Sequence, residues 1–369
     1  MSAKRTVLWL AAVAIVVGAA VALTSCGGGG TTSSTGTAGA APKIALLLPE
    51  SKTARYETQD RPLFEAKVKA LCPECQILYS NANQDATQQQ SQAEAALANG
   101  AKVLVLDPVD FASAGAIVTK ANAAKVPVIS YDRLITNADL AYYVSFDNEK
   151  VGKLQGQALL AKLTADGNAG KTIVMINGAP TDNNAKLFKA GAHSVLDGKV
   201  KIGAEYDTPD WSPDKAQTEM DQAITKLGKA GFVGVYCAND GTAGGAIASM
   251  TGAGIDPKTR PTTGQDAELA AIQRILVGEQ FMTVYKAIKP EAEATAMLAV
   301  ALAKGQTPPA SLTLTKVNNG TKDVNSVILT PVPVTKANVK STVVADGFWT
   351  AKDICTGAYA AACKAAGIQ

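Results

Sequence analysis

The feature that most constrains the fold is an alternation of short apolar runs and longer amphipathic stretches that begins at Lys43. The first apolar runs are "KIALLLPE", "QILYSNAN", "KVLVLDP" and "VPVISYD", and stretches with helical periodicity separate them. The runs are continuously apolar rather than alternating, as expected of strands that helices cover on both faces. Strand–helix–strand units of this kind form right-handed crossovers in a parallel sheet.

The same alternation restarts after Asp147. Further strands are predicted at "KTIVMING", "KIGAEYD", "FVGVYCAND" and "FMTVYK", with helices such as Asn148 to Ala165 and Pro290 to Lys304 between or after them. The chain has 369 residues, 47% of them hydrophobic, which is enough for two ordinary cores. We therefore predict an α/β protein of two doubly wound, Rossmann-like lobes with parallel sheets. The restarts near 147 and 284 indicate that the chain crosses between the lobes more than once.

The charge balance and the scarcity of histidine exclude several classes of function. The net charge is only +3, with 35 basic residues scattered among 32 acidic ones, so nucleic acid is not expected as a partner. The only histidine, His193, lies in a helix-like stretch where a surface or packing role is expected. Zinc clusters of Cys and His and Ser-His-Asp triads can hardly be built from one histidine, so we expect no metal and no cofactor.

The N-terminus carries targeting information. Two basic residues precede an uncharged run of seventeen residues, Val7 to Leu23, which is slightly short for a membrane span of about 20 residues. The following "LTSC" resembles the lipobox of bacterial lipoproteins, which implies a signal peptide at residues 1–25, cut before Cys26, and a diacylglycerol on the sulfur of Cys26. An uncleaved anchor helix is the alternative. Residues 26–42 are small and polar, which is typical of a flexible tether.

Five further cysteines fall into two close pairs and one isolated residue. Cys72 and Cys75 form "CPEC", Cys355 and Cys363 are eight apart, and Cys237 lies inside an apolar strand. An exported protein sits in an oxidising space, so two local disulfides within these pairs and one buried thiol are expected. A thioredoxin-like redox role for "CPEC" is the alternative. The motif follows a helix and leads into a strand, which is the reverse of the redox arrangement.

Nearly every predicted strand ends in a planar polar or aromatic residue. In an open parallel sheet, ligands bind beyond the carboxyl ends of the strands. The residues found at these ends are Lys52, Arg55, Tyr56, Asp107, Asp132, Arg133, Asp182, Asn183, Asn184, Asp210, Trp211, Asn239, Asp240, Gln265, Asp266 and Lys286. Taken singly, Asn184 or Asp240 could be a helix cap. Together the residues predict one polar site at a shared sheet edge.

The composition of this set favours recognition over catalysis. Two candidate phosphate loops fail: "ADGNAGKT" precedes a strand instead of following one, and "GTAGG" lacks the dinucleotide spacing. Amides and ion pairs match vicinal hydroxyl groups, because each can donate to one oxygen and accept from its neighbour. Trp211 or Tyr56 can cover the C–H face of a sugar ring. The adjacent Asp132 and Arg133 are expected to chelate neighbouring hydroxyls, with a purely structural salt bridge as the alternative.

Several long segments resemble the pentose- and hexose-binding branch of the type I substrate-binding proteins of ABC importers. They are "SYDRLITNADLAYYVSFDNEKVGKLQ", "GAPTDNNAKLFKAG", "CANDGTAGGAIASM", "TGQDAELAAIQRILVGEQFMTVYK" and "VNNGTKDVNSVIL", within about 43–347. The resemblance implies the type I periplasmic-binding-protein fold, two lobes joined by a three-strand hinge. The lobes would comprise residues 43–146 plus 285–329 and residues 147–284 plus 330–369.

The resemblance also implies the ligand and the partners. One monosaccharide, with D-xylose favoured, would bind between the lobes of a monomeric, non-enzymatic receptor that passes it to an ABC permease. Through its lipid the receptor would be anchored to the outer face of the cell membrane. A glucose or multi-sugar receptor that also signals to a membrane sensor is the alternative. The implied sugar contacts are Arg55, Tyr56, Asp132, Arg133, Asn184, Trp211, Asn239, Asp266 and Lys286. Tyr56 departs from the pattern, because xylose-binding members carry Trp there.

Overall fold

The computed structural model describes residues 41–368. The predicted signal peptide at 1–25, the lipidation at Cys26 and nearly all of the 26–42 tether lie outside the described residues. In the described part of the chain, no helix is both long enough and apolar enough to cross a membrane.

Twelve strands and eleven α-helices make up the described fold. The strands are β1 (Lys43–Leu48), β2 (Gln76–Asn81), β3 (Ala101–Leu106), β4 (Val128–Tyr131), β5 (Tyr142–Phe146), β6 (Thr172–Asn177), β7 (Lys201–Asp207), β8 (Val235–Cys237), β9 (Met282–Tyr285), β10 (Thr315–Asn318), β11 (Asp323–Leu329) and β12 (Val332–Thr335). The helices are α1 (Arg61–Leu71), α2 (Ala86–Ala98), α3 (Gly115–Ala123), α4 (Asn148–Ala165), α5 (Asn183–Leu196), α6 (Pro213–Leu227), α7 (Asp240–Gly252), α8 (Leu269–Val277), α9 (Ile288–Ala303), α10 (Ala351–Ile354) and α11 (Ala360–Ala365).

The first sheet has seven strands in the order β10–β11–β5–β4–β3–β1–β2, and only β10 runs antiparallel to its neighbour. Successive side chains of a strand point to opposite faces. In β1, Ile44 and Leu46 pack toward α1 and α9, whereas Ala45 and Leu47 pack toward α2 and α3. Because helices cover both faces, every position of such a strand has to be apolar, which explains the continuous runs in the sequence.

The second sheet begins as β7–β6–β8, with all neighbours parallel. Parallel bridges at Val235–Thr262 and Gln265–Val284 extend it toward β9, and β12 pairs antiparallel with β9 at the edge. Helices α4 and α5 cover one face of this sheet, and α6 and α7 cover the other. The C-terminal segment buries Val343 and Ile354 with Ile272 of α8.

The prediction of two doubly wound, Rossmann-like lobes with parallel sheets is confirmed. Each sheet carries in addition one antiparallel strand at an edge, β10 in the first and β12 in the second. The sequence analysis identified neither β5 nor the hairpin β10–β11. The strand β5 lies directly before the Asp147 cap of α4, and β10 is largely exposed and polar. Neither therefore shows the long apolar run that predicts a buried strand.

The chain passes between the two sheets at three places. It leaves the first sheet after Phe146, returns between Tyr285 and Ile288, and leaves again between Leu329 and Val332. Each sheet is therefore assembled from segments that are distant in the sequence.

Both cysteine pairs form disulfides. Cys72–Cys75 joins the end of α1 to the start of β2, and Cys355–Cys363 ties α10 to α11. Their Cα–Cα distances of 5.3 and 5.7 Å suit a disulfide. Cys237 is a buried free thiol, and burial raises its pKa.

Helices α4 and α5 approach each other at backbone distance. A Cβ atom added to Gly152 would lie 1.9 Å from the carbonyl oxygen of Phe188, and one added to Gly191 would lie 2.1 Å from that of Glu149. The glycines are thus required by the close contact between the helices rather than by backbone conformation.

We expect Gly152→Ala to destabilise the protein by about 1–3 kcal/mol, because a methyl group there forces the two helices apart. The matched control is Gly252→Ala at the end of α7, where an added Cβ meets nothing within 4 Å. Urea unfolding of both variants measures the difference. Equal midpoints for the two variants would contradict the close packing.

A polar cluster lies within the second lobe, beneath α7 and α8. The carboxylate of Asp240 accepts hydrogen bonds from Gln280 (2.7 Å), the hydroxyl of Thr283 (2.9 Å) and the backbone N–H of Glu268 (2.9 Å). Burial raises the pKa of Asp240 to about 7, although the positive charge of Arg274 opposes the shift. Burial also raises the pKa of the Glu268 carboxyl well above its ordinary value.

The raised pKa values of Asp240 and Glu268 predict that the free energy of unfolding falls as the pH rises from 5 to 8. A carboxyl whose pKa is higher in the folded state holds its proton more tightly there, so deprotonation above its unfolded pKa favours unfolding. His193 acts in the same direction, because Glu205 and Asp197 outweigh burial and raise its pKa, and that stabilisation is lost at higher pH.

Thermal unfolding at pH 5.5 and pH 8 tests this dependence. We expect a lower melting temperature at pH 8, and a smaller difference in Asp240→Asn than in the control Asp214→Asn, which changes an exposed helix residue. Each pH unit between the two pKa values of Asp240 corresponds to about 1.4 kcal/mol. If the melting temperature of Asp240→Asn falls between pH 5.5 and pH 8 by as much as that of Asp214→Asn, the pH dependence does not come from Asp240.

Candidate functional site

The carboxyl ends of the strands of both sheets surround one narrow cavity. It is lined by Thr53, Arg55, Tyr56, Asp132, Arg133, Asp182, Asn184, Phe188, Trp211, Asn239, Gln265, Asp266 and Lys286. All nine residues that the sequence analysis assigned to sugar contact are among them. None of the nine is more than 4% exposed.

The "SYDRL" turn after β4 is held by its own side chains and by the second lobe. The hydroxyl of Ser130 donates to the carbonyl of Arg133 (2.6 Å) and accepts from the N–H of Ile135 (3.0 Å). Asp132 has a φ of +52°, a conformation that costs energy for a residue other than glycine. Its carbonyl accepts hydrogen bonds from Ser145 (2.6 Å) and from Asn184 (3.0 Å), which fix that conformation.

The carboxylate of Asp132 lies among positive charges. Arg55 Nη1 is 3.2 Å from Asp132 Oδ1, and Lys286 Nζ is 3.6 Å from the same oxygen. Burial would raise the pKa of Asp132, but Arg55, Lys286 and Arg133 outweigh it and hold the pKa below its ordinary value. Asp132 is therefore a charged acceptor at the centre of the cavity.

Arg55 is committed largely to protein carboxylates. Its Nε and Nη2 atoms donate to Asp60 at 2.9 and 2.5 Å, and Nη2 also donates to Glu291 at 2.7 Å. These contacts fix the guanidinium that faces Asp132. Its main role in this arrangement is to orient and neutralise Asp132.

Arg133 turns away from its neighbour Asp132. Its Nε atom is 3.1 Å from Asp182, 3.5 Å from Asp107, and its Nη2 is 3.8 Å from Glu50. No ion pair in residues 41–368 joins Asp132 to Arg133. Burial raises the pKa of Asp107, Asp182 and Glu50 despite the nearby guanidinium. The hypothesis of a local Asp132–Arg133 salt bridge is therefore wrong.

The hydroxyl group of Tyr56 connects Asp132 and Arg133 instead. It donates to Asp132 Oδ2 (3.1 Å) and accepts from Arg133 Nη2 (3.2 Å). The ring lies near both guanidinium groups, 5.3 Å from Arg55 and 5.7 Å from Arg133. A tryptophan at this position could not make the hydroxyl bridge.

The second lobe contributes an aromatic wall and several amides. Trp211 lies edge-on to Phe188, with 6.3 Å between ring centroids, and donates from Nε1 to Asp182 (3.1 Å). Asn184 is held by Asp182, which accepts its backbone N–H at 2.8 Å. Asn239 caps α7, since its Oδ1 accepts from the N–H of Thr242 at 2.8 Å. The cap uses the amide oxygen and leaves the amide N–H groups of Asn239 for another partner.

Lys286 and Asp266 close the site at the end of β9. Lys286 Nζ lies 3.2 Å from Asp266 Oδ1, so it bridges a carboxylate of each lobe. Gln265 Oε1 is buried and accepts no hydrogen bond from any described residue. A buried acceptor without a donor costs about 1–3 kcal/mol. This oxygen is suited to accept from a hydroxyl group of a ligand.

Four lining residues were not assigned to sugar contact from the sequence. Asp182 and Gln265 appear among the strand-end residues, but nothing local distinguishes Asp182 from an ordinary helix cap. Phe188 lies one helical turn after Asn184, and that i, i+4 spacing was the available signal. Thr53 carries no distinguishing pattern.

The chemistry of the lining is that of recognition. Donors and acceptors converge from two sheets, and their charges are mutually paired. In the described part of the chain, no cluster of three or more His, Cys, Asp or Glu residues is arranged to hold a metal ion. The lone His193 lies on α5 and is engaged with Asp197 and Glu205.

Comparisons with known proteins agree with this geometry. Residues 44–307 match the family described as "Periplasmic binding protein domain". The chain is 40% identical to the D-xylose-binding periplasmic protein of Escherichia coli (strain K12), over 83% of this chain and 90% of that protein. It is 36% identical to a multiple sugar-binding periplasmic receptor of Rhizobium radiobacter, over 73% of this chain and 81% of that protein.

Solved structures show the same fold. A solute-binding protein from Clostridium phytofermentans with bound β-D-glucose superposes with a TM-score of 0.77 at 29% identity, covering 85% of this chain and 99% of that one. One from Chloroflexus aurantiacus in complex with D-glucose gives 0.74 at 31% identity, covering 84% and 97%. The chain thus belongs to the periplasmic binding protein family, as one of its type I sugar-binding proteins, which bind solutes and are not enzymes.

Proposed function

We propose that this protein is the substrate-binding lipoprotein of an ABC-type monosaccharide importer. It binds D-xylose or a similar aldose between its lobes and delivers the sugar to the membrane permease. The observation that carries the proposal is the convergence of polar side chains from both sheets on one small cavity. Buried acceptors there, such as Gln265 Oε1, accept no hydrogen bond from the described residues.

The polar groups of the cavity are sufficient to hold a single sugar ring. Micromolar affinity requires about 8 kcal/mol. Hydrogen bonds to charged groups contribute about 1.5–3 kcal/mol each. Four or five such bonds from Asp132, Arg133, Asp266 and Lys286 are sufficient after the losses of immobilisation.

The mechanism is a change in the balance between open and closed lobes. The proposed lobes are residues 43–146 plus 285–329 and residues 147–284 plus 330–369, and the three chain passages between them act as the hinge. A ligand that contacts both lobes binds the closed state better and shifts the population toward it. The permease then distinguishes the closed receptor from the open one.

The attachment to the membrane rests on the sequence alone. "LTSC" supports lipidation at Cys26, and the tether that follows allows the receptor to reach a permease. The similar proteins of Escherichia coli and Haemophilus influenzae are periplasmic, which supports an exported protein.

A receptor for glucose or several sugars that also signals to a membrane sensor is the second candidate. The relative from Rhizobium radiobacter is a multiple sugar-binding receptor, and two similar structures contain glucose. Tyr56 stands in place of the tryptophan of xylose-binding members, and this difference favours another sugar preference.

Titration calorimetry with D-xylose, D-glucose, L-arabinose, D-ribose and D-galactose tests the ligand. We expect D-xylose to bind most tightly and to stabilise the protein by about 2.7 kcal/mol at one hundred times its Kd. A disaccharide such as maltose is the size control and should not bind. Tightest binding of D-glucose would favour the second candidate, and no binding of any monosaccharide would refute both.

Asp266→Asn tests the contribution of the site itself. The change keeps the size of the side chain but removes the charge that faces Lys286 in the cavity. Loss of one charged hydrogen bond should weaken sugar binding roughly 10- to 150-fold. Asp214→Asn on exposed α6 is the control and should bind as the wild type does. Equal affinities of the two variants would exclude Asp266 from the site.

A further inference from the structure

The position of the Trp211 ring depends on a residue outside the cavity lining. Gly178 directly follows β6 and does not line the cavity. A Cβ atom added to Gly178 would lie 2.0, 2.4 and 2.5 Å from Cη2, Cζ2 and Cζ3 of Trp211. Real Cβ atoms essentially never come within 3.0 Å of another heavy atom. The backbone of Gly178 therefore contacts the indole where any side chain would stand.

The other sides of the indole are already restrained. Nε1 donates to Asp182 at 3.1 Å, and Phe188 meets the ring edge-on. The backbone that carries the ring is also constrained, because Trp211 and the preceding Asp210 both have positive φ angles, +53° and +60°. Only 4% of Trp211 is exposed. A ring pushed from the side of Gly178 is opposed by its contacts with Asp182 and Phe188, and we therefore expect it to be displaced into the cavity that it lines.

We propose that Gly178 is a positioning residue for sugar binding. By lacking a side chain it sets how far the Trp211 ring projects into the cavity, and so it controls affinity and the size of the accepted sugar. This inference rests on the proposed function, because it concerns the same cavity. Gly178 itself does not need to touch the sugar.

A double-mutant cycle tests the proposal. We expect Gly178→Ala to weaken binding of the preferred pentose at least tenfold in calorimetry, and to weaken hexose binding more, because the cavity becomes smaller. In a Trp211→Leu background, which lacks the ring atoms that collide, the same change should have no further effect. Gly252→Ala is the control for adding a methyl group and should leave binding unchanged.

The results separate the possible failures. If the wild type binds monosaccharides and Gly178→Ala binds them equally well, the inference is wrong while the proposed function stands. It is also wrong if Gly178→Ala weakens binding as much in the Trp211→Leu background as in the wild type. If Gly178→Ala does not fold, the inference requires that the double variant Trp211→Leu/Gly178→Ala be as stable as Trp211→Leu. A double variant that is clearly less stable than Trp211→Leu would overturn the inference. If the wild type binds no monosaccharide, the proposed function fails, and the same cycle in free energy of unfolding still decides whether Gly178 acts through Trp211.

Discussion

The cleft depends on the buried charge of Asp132. An isolated charge in a protein interior is too costly to retain, and it persists only where opposite charges and hydrogen bonds compensate for lost hydration. Here Arg55 and Lys286 supply the compensation. Lys286 lies where the chain returns from the second sheet to the first, and its Nζ is also 3.2 Å from Asp266 Oδ1. The charge of Asp132 is thus linked, through one lysine in a chain passage, to a carboxylate of the second lobe.

The surplus of carboxyl groups around Arg133 suits a ligand made of hydroxyls. Glu50, Asp107 and Asp182 face one guanidinium, and burial raises the pKa of all three. Of the three, only Asp182 lines the cavity, whereas Glu50 and Asp107 hold the guanidinium of Arg133 in place. A guanidinium donates hydrogen bonds and a carboxylate accepts them, and a hydroxyl group can do both. Arg133 and Asp182 therefore offer a donor and an acceptor side by side to a ligand hydroxyl.

The sequence predicted the strands that helices cover on both sides, such as β1 and β3, because burial requires every position to be apolar. It did not predict β5 or β10, where burial is partial or the strand is short. Parallel strands bring their carboxyl ends to one edge, and this explains why residues as distant as Arg55 and Lys286 could be assigned to one site. The neighbouring positions of Asp132 and Arg133 suggested a local salt bridge as the alternative. The structure does not contain it, because with the positive φ of Asp132 the two side chains reach different partners. Such conformations are decided by the surrounding loops, which sequence patterns do not encode.

The three passages of the chain between the sheets also affect how the protein is made. The edge pair β10–β11 completes the first sheet by joining β5, although it is synthesised only after almost the whole second lobe. Contacts so distant in sequence form slowly, since a long loop has to be closed first. Neither sheet can therefore be complete before the C-terminal part of the chain has been synthesised. A chain whose sheets stay incomplete until its C-terminal part is available is suited to export before it has folded.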